Sequence, residues 1–196
     1  MPNDKYFSFD ALLAKEVEGE DYRIELLNRG SDNLIMAPHG GKIEPGTSEI
    51  ARSIASDDLS FYLFEGIRPG LHHHELHVTS HRYDEPQAIV AAGRSTRVLA
   101  IHGRADKDDT QTIWIGGSDT SAHEVILYRL KSAGFKCQVQ KGELAGIHQN
   151  NICNRGSSAK GVQLEISRSL RNELLNNDDQ LDSLSRELRQ SLSELT

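Results

Sequence analysis

The chain has 196 residues, 37% of them apolar and 26% charged, with a net charge of −7 when histidine is neutral. That length suits one domain with a full core, and no apolar run approaches the roughly 20 residues that a membrane-spanning helix needs. The acidic balance excludes nucleic acid as a generic partner, while Cys137 and Cys153, with no CxxC spacing, exclude a disulfide framework or a cysteine-rich zinc module.

Two reduced thiols are therefore expected. The opening residues lack a basic stretch followed by an apolar one, so no secretory signal is read and synthesis in the cytoplasm is expected, with cell lysis as a route outward. Asp21 to Arg29 predicts a first strand with Ile24 and Leu26 on one face. Leu34 to Ala37 is a short apolar run that ends at Pro38-His39-Gly40-Gly41. A helix is predicted from Pro45 to Ser56, because proline suits a first turn and Ile50, Ala51 and Ile54 make an apolar stripe. Ser60 to Glu65 predicts a strand, and Leu76 to Thr79 another. Glu85 to Ala92 predicts a short helix stopped by Gly93.

Arg97 to Ile101 has the composition of a buried strand and runs into His102-Gly103. Thr112 to Ile115 predicts a strand closed by Gly116-Gly117; Gly116-Gly117-Ser118 lacks the lysine and spacing of a phosphate loop. Asp119 caps a predicted helix to Ala133, with Gly134 as its stop. Phe135 to Gln140 and Gly161 to Ile166 are the last predicted strands. Leu181, Leu184, Leu188 and Leu192 give a closing amphipathic helix, about 180–195. The alternation predicts one α/β domain over 1–196 with a core at about 20–175, built on a mixed, mostly parallel sheet flanked by helices.

In open α/β sheets, active sites gather beyond the carboxyl ends of the strands. Three features fall at such ends: His39 with Glu44 across a glycine pair, His102, and Glu165 in GVQLE. Two histidines and a carboxylate form a catalytic zinc set with one position left open, and a further carboxylate free of the metal can act as general base and then acid. His39, Glu44 and His102 are the candidate ligands for one zinc per chain, and Glu165 is the candidate base. Each also has a plain structural reading, such as Glu44 being a favourable charge before a helix. There is no G-x-S-x-G elbow to support a serine hydrolase.

The stretches APHGGKIEPGTSEIA (37–51), FYLFEG (61–66), HVTSHRYDEP (77–86), VLAIHG (98–103), NICNRG (151–156) and GVQLEIS (161–167) resemble the poly-γ-glutamate hydrolase family of bacteriophages and bacilli. The resemblance runs from about 20 to about 175 and leaves out the final helix. It implies a fold like that of the zinc carboxypeptidases, phage or prophage origin, zinc on His39, Glu44 and His102, and Glu165 as general base. The implied partner is an anionic poly-γ-glutamate or γ-glutamyl peptide, acted on by a monomer. The enzymatic alternative is another γ-glutamyl or cell-wall amide. The non-enzymatic one is a phage interaction protein that kept the fold.

A polymer carrying an α-carboxylate on every unit needs fixed cations in its cleft, preferably arginine. Asn154-Arg155 resembles the Asn-Arg pair with which zinc carboxypeptidases hold a carboxylate. Arg168 and Arg171 follow Glu165 closely, so these arginines and Asn154 are the candidate substrate contacts. Five of the nine histidines lie at 72–81. LHHHELH (71–77) is not H-E-x-x-H, and with a strand entering at 76 its residues read as cleft wall, with His77 as a substrate contact. His73 and His77 would share a helical face, which keeps a second metal site open. His123 and His148 read as structural or surface residues.

Overall fold

The computed structural model describes residues 4–195. Its elements in order are α1 (Phe9–Leu13), β1 (Tyr22–Leu27), β2 (Asn33–Gly41), α2 (Thr47–Ala55), β3 (Ser60–Gly66), α3 (Pro86–Arg94), β4 (Arg97–Arg104), β5 (Ile113–Gly117), α4 (Thr120–Ser132), β6 (Cys137–Val139), β7 (Gly161–Ser167), α5 (Arg168–Leu175) and α6 (Asp178–Glu194). The seven strands form one sheet in the order β1-β3-β2-β4-β7-β5-β6. β3, β2, β4 and β7 run parallel at its centre; β1 and β5 pair antiparallel to their inner neighbours, and β6 follows β5. This is the expected α/β architecture with a mixed, mostly parallel sheet.

Strand alternation gives each face its own core. Ile35, Leu99, Ile101, Val162, Leu164 and Ile166 pack under α2, α4, α5 and α6, where Leu184, Leu188 and Leu192 form the buried stripe of the closing helix. Leu34, Met36, Val98 and Ala100 face the other way, against Phe9 and Leu12 of α1 and Ala88 and Ala92 of α3. Both cysteines are free and buried. Among the described residues no helix is long and apolar enough to cross a membrane.

Several boundaries differ from expectation for local reasons. α2 starts at Thr47, because Gly46 sits at φ +97° and Pro45 belongs to a turn before the helix. Residues 76–79 do not form a strand. The chain there makes a 3₁₀ turn at His73–Leu76, an extended link, and a second 3₁₀ turn at Ser80–Arg82. Leu76 and Val78 are buried by packing alone, which mimics strand alternation. Gly93 lies inside α3 and does not stop it. α1 and α5 were not anticipated, although Ser8 and Ser167 cap them in the usual way.

The segment before α1 is tied down by charge. Glu16 pairs with Lys5 at 3.3 Å and with Arg68, and accepts from the Tyr6 hydroxyl. The Arg68 guanidinium, with Tyr6 and Lys5 beside it, lowers the Glu16 carboxyl from 4.5 to about 2. Because the folded pKa lies below the unfolded one, this anchor is complete above pH 4.5 and is lost as pH falls toward 2. Hydrogen-exchange rates in residues 5–13, each taken relative to the intrinsic rate at the same pH, should therefore rise as pH falls through that window, and Glu16→Gln should show the faster exchange at neutral pH. An unchanged rate in both cases would refute the anchor.

Candidate metal centre and cleft

β2 connects through α2 to β3 on one side, and β3 returns through α3 to β4 on the other. The order therefore reverses between β2 and β4, where open α/β sheets leave a crevice. The two strands pair from Asn33 with Arg97 to Met36 with Ala100 and no further. His39 and His102 stand just beyond the split.

A bulge decides which way His39 points. Ala37 pairs with Leu63 but Gly40 pairs with Glu65, so three residues of β2 oppose two of β3. Pro38 has no N–H to give to the ladder, which favours an interruption there. Unbroken alternation would send His39 toward α2 with Ile35 and Ala37. The extra residue turns it to the face of His102 instead. Gly40 and Gly41 then let the chain fold back, since a Cβ on Gly40 would meet Ser48 Oγ at 2.1 Å and Gly41 has φ +60°. The Glu44 N–H donates to His39 O at 2.9 Å, closing the turn and bringing the carboxylate over the histidines.

The three expected ligands converge. His39 Nδ1 and His102 Nδ1 are 3.2 Å apart; Glu44 Oε1 lies 3.6 Å from the first and Oε2 3.8 Å from the second. The edge of a tetrahedron with zinc–nitrogen arms of about 2.05 Å is about 3.3 Å. His39 Nε2–H donates to Val78 O at 2.8 Å, which leaves the Nδ1 lone pair for the centre, and Gly103 N–H donates to Glu44 Oε2 at 2.8 Å. His102 Nε2 is buried and has no partner among the described residues. The donor set thus fits a divalent cation.

His77 competes for a place in this set. His39, Glu44 and His77 also bring ligand atoms within 4.8 Å of one another. The rings of His39 and His77 lie with centroids 4.0 Å apart and 33° between planes. The Nδ1 atoms of His39 and His102 lie 3.2 Å apart, near the edge length of a tetrahedral zinc site. Two overlapping sets thus share His39 and Glu44, one completed by His102 and the other by His77. His77 Nδ1–H donates to Asp4 Oδ1 at 2.7 Å, and Asp4 Oδ2 also accepts from Thr79 and Arg82.

Charges in the centre are strongly coupled. Burial opposes ionisation of Glu44, yet His39, His102 and His77 hold its carboxyl down at about 2. Burial, then the neighbouring His39, push His102 down to about 3. For His39 burial is outweighed by Glu44, and the net shift is upward. Glu165 pairs across the ladder with His102 and is 4% exposed. Burial first, then the Glu44 charge, raise it to about 8, against the pull of Arg104 and Arg171.

The centre lies between two cavities. One, of about 320 Å³, is lined by His39, Glu44, His77, His102, Gln163 and Glu165, and walled by the 142–151 loop. The other, of about 560 Å³, shares Glu44, His77 and Leu144 and continues past Ile43, Arg104, Lys107 and Trp114.

The four other expected substrate contacts line neither cavity. Asn154 Oδ1 accepts from Ser118 and its Nδ2 donates to Gly146 O and His148 O, so its side chain is used up in holding the loop. Arg171 is buried over Gly103 and donates to the carbonyls of Ile166, Pro45 and Arg104. Arg155 donates to Asn150 O, and Arg168 is exposed at the start of α5. Arg155 and Arg171 are thus tied to backbone carbonyls and Arg168 lies on the surface. Lys5, Arg104 and Lys107 are the cations that line the larger cavity, with Arg104 packed 3.9 Å over Trp114 and bonded to Asp109. Period-2 alternation could have found Gln163 beside Glu165; nothing in the sequence marked Asp4. His123 is buried against Gly116 O, as a structural residue would be, and His148 faces the cleft rim.

A family model described as poly-gamma-glutamate hydrolase matches residues 6–195, which takes in the closing helix. The structure is similar to that of a bacteriophage poly-gamma-glutamate hydrolase, with a TM-score of 0.92, 31% identity and 98% of each chain covered. It is also similar to a zinc-free apo form of YndL, with a TM-score of 0.89, 31% identity, and 97% of this chain and 98% of that one covered. The SPbeta prophage-derived protein YoqZ of Bacillus subtilis is 41% identical over 88% of this chain, and the chain spans 62% of that relative's length.

Proposed function

From the chain's membership of the poly-γ-glutamate hydrolase family, we propose that it is a zinc-dependent hydrolase of γ-glutamyl amide bonds, working as a monomer on the anionic polymer. The observation that carries this reading is the convergence of two imidazole nitrogens and a carboxylate beside a buried Glu165 oxygen that has no partner among the described residues. One zinc, held by His39, Glu44 and His102, would supply a Lewis acid that polarises the amide carbonyl and acidifies water. Two histidines and a glutamate with a separate glutamate base is also the zinc carboxypeptidase arrangement, and the proposal extends to that likeness.

The remaining work falls to the protein's own groups. Glu165 Oε2 takes a proton from the attacking water and delivers it to the departing amide nitrogen. Its raised pKa owes part of its height to the Glu44 charge, so pairing Glu44 with a cation returns Glu165 toward the ionised, base-competent form. His77, at the junction of the two cavities, is placed to touch the substrate next to the scissile bond. Lys107, exposed at its edge, and Trp114 give the larger cavity a charge and an apolar wall, suited to a chain that carries a carboxylate on every unit. Arg155 and Arg168 enter the proposal only as contacts to more distant glutamyl units.

Metal content by mass spectrometry and a viscosity assay on the polymer test the reading together. About one zinc per chain is expected, with viscosity falling on addition of enzyme, no fall after chelation, and α-linked polyglutamate left intact. A zinc-loaded chain that leaves the γ-linked polymer intact would refute it.

A further inference from the structure

The two oxygens of Glu165 are in different situations. Oε1 accepts from Gln163 Nε2 at 3.1 Å, whereas Oε2 is buried with no partner among the described residues. Gln163 lies two residues earlier on β7, so strand alternation sets both side chains on one face. Its amide is fixed at both ends. Asn151 Nδ2 donates to Gln163 Oε1 at 2.9 Å, and the second Nε2 hydrogen goes to Leu144 O at 3.0 Å. A flipped amide would set oxygen against both a carboxylate and a carbonyl, and N–H against N–H. Asn151 is held in turn, because its Oδ1 accepts from Cys153 N–H at 3.1 Å.

The fold makes room for this relay. A Cβ on Gly146 would stand 2.4 Å from Gln163 Cδ, and one on Gly116 would stand 2.5 Å from Ala145 O. Both glycines let the loop descend onto Gln163, and Asn151, Gln163 and Glu165 all line the smaller cavity.

We propose that Gln163 is a positioning residue for Glu165, with Asn151 fixing Gln163, so that Oε1 is held and Oε2 alone faces the reacting water. The inference rests on Glu165 being the base. A carboxamide suits the task because it donates a hydrogen bond without titrating, which leaves Oε2 as the one oxygen that exchanges a proton. The proton passes from water to Oε2 and from Oε2 to the leaving nitrogen, and Glu165 ends as it began. A leucine at 163 would free the carboxylate to rotate away from the water. A cation there would weaken it as a base.

The test uses zinc-loaded full-length enzyme. Gln163→Leu should lower kcat by about 10- to 100-fold, with KM and zinc content unchanged within about twofold. Added to Glu165→Gln, it should slow the residual rate no further, since a residue acting only through Glu165 has nothing left to act on. Near-normal kcat, a rise in KM alone, or a loss that multiplies in the double variant would each overturn the proposal. Failure of the underlying reading looks different: Glu165→Gln alone would then turn over normally. Should Gln163→Leu fail to fold, Asn151→Ala is read by the same criteria, with a smaller fall in kcat expected.

Discussion

Glu165→Gln should leave zinc in place and lower kcat by about 10²- to 10⁴-fold, the range lost with a general base. The substitution keeps size and shape at a position whose backbone pairs with that of His102. Its Oε1 bond from Gln163 can survive as an acceptor at the same place. What disappears is the oxygen that can accept and return a proton. The change removes a buried carboxyl whose charge is disfavoured, so thermal stability should hold or rise. Rate, metal content and melting temperature measured on one sample decide the matter. Normal turnover would remove Glu165 from the mechanism, and zinc loss with the rate would make it a support of the ligands.

His102→Ala and His77→Ala should separate the two overlapping histidine sets. Removing His102 should cost more zinc affinity than the roughly 10- to 100-fold that loss of an outer-shell partner brings, and hydrolysis with it. Removing His77 should leave about one zinc per chain and reduce turnover on the polymer. The physical ground is spacing: the Nδ1 atoms of His39 and His102 lie 3.2 Å apart, close to a tetrahedral edge, whereas His77 Nδ1 is committed to Asp4. Competition with a chromogenic chelator measures the affinities directly. A His77→Ala protein that loses its metal, beside a His102→Ala protein that keeps it, would reverse the assignment.

Much of the architecture and the outline of the centre can be read from residue order, and the reasons are local. His39, His102 and Glu165 each end or follow an apolar strand, and parallel strands bring such ends to one edge. Capping and stop signals place α4 closely, because Asp119 and Gly134 act within a few bonds of the backbone they serve. The rest depends on distance. Asp4 meets His77 only because the segment before α1 crosses a turn far along the chain. Asn154 and Arg171 carry the right chemistry for substrate, but the 142–151 loop and the 43–46 turn claim their donors first. At 76–79 a buried leucine and valine two apart imitate a strand because packing, not pairing, sets their spacing.

The extra residue at Pro38-His39 makes the metal centre a matter of counting as well as of identity. A descendant that gained one residue between Met36 and His39, with the bulge kept, would still spell out both histidines and both glutamates. Its first imidazole would swing under α2, into hydrocarbon, and the cation would be left with two widely set partners. Such a lineage would pass a motif search and have no working centre. Single-residue insertions in this short stretch should thus be purged far more severely than substitutions that preserve its length.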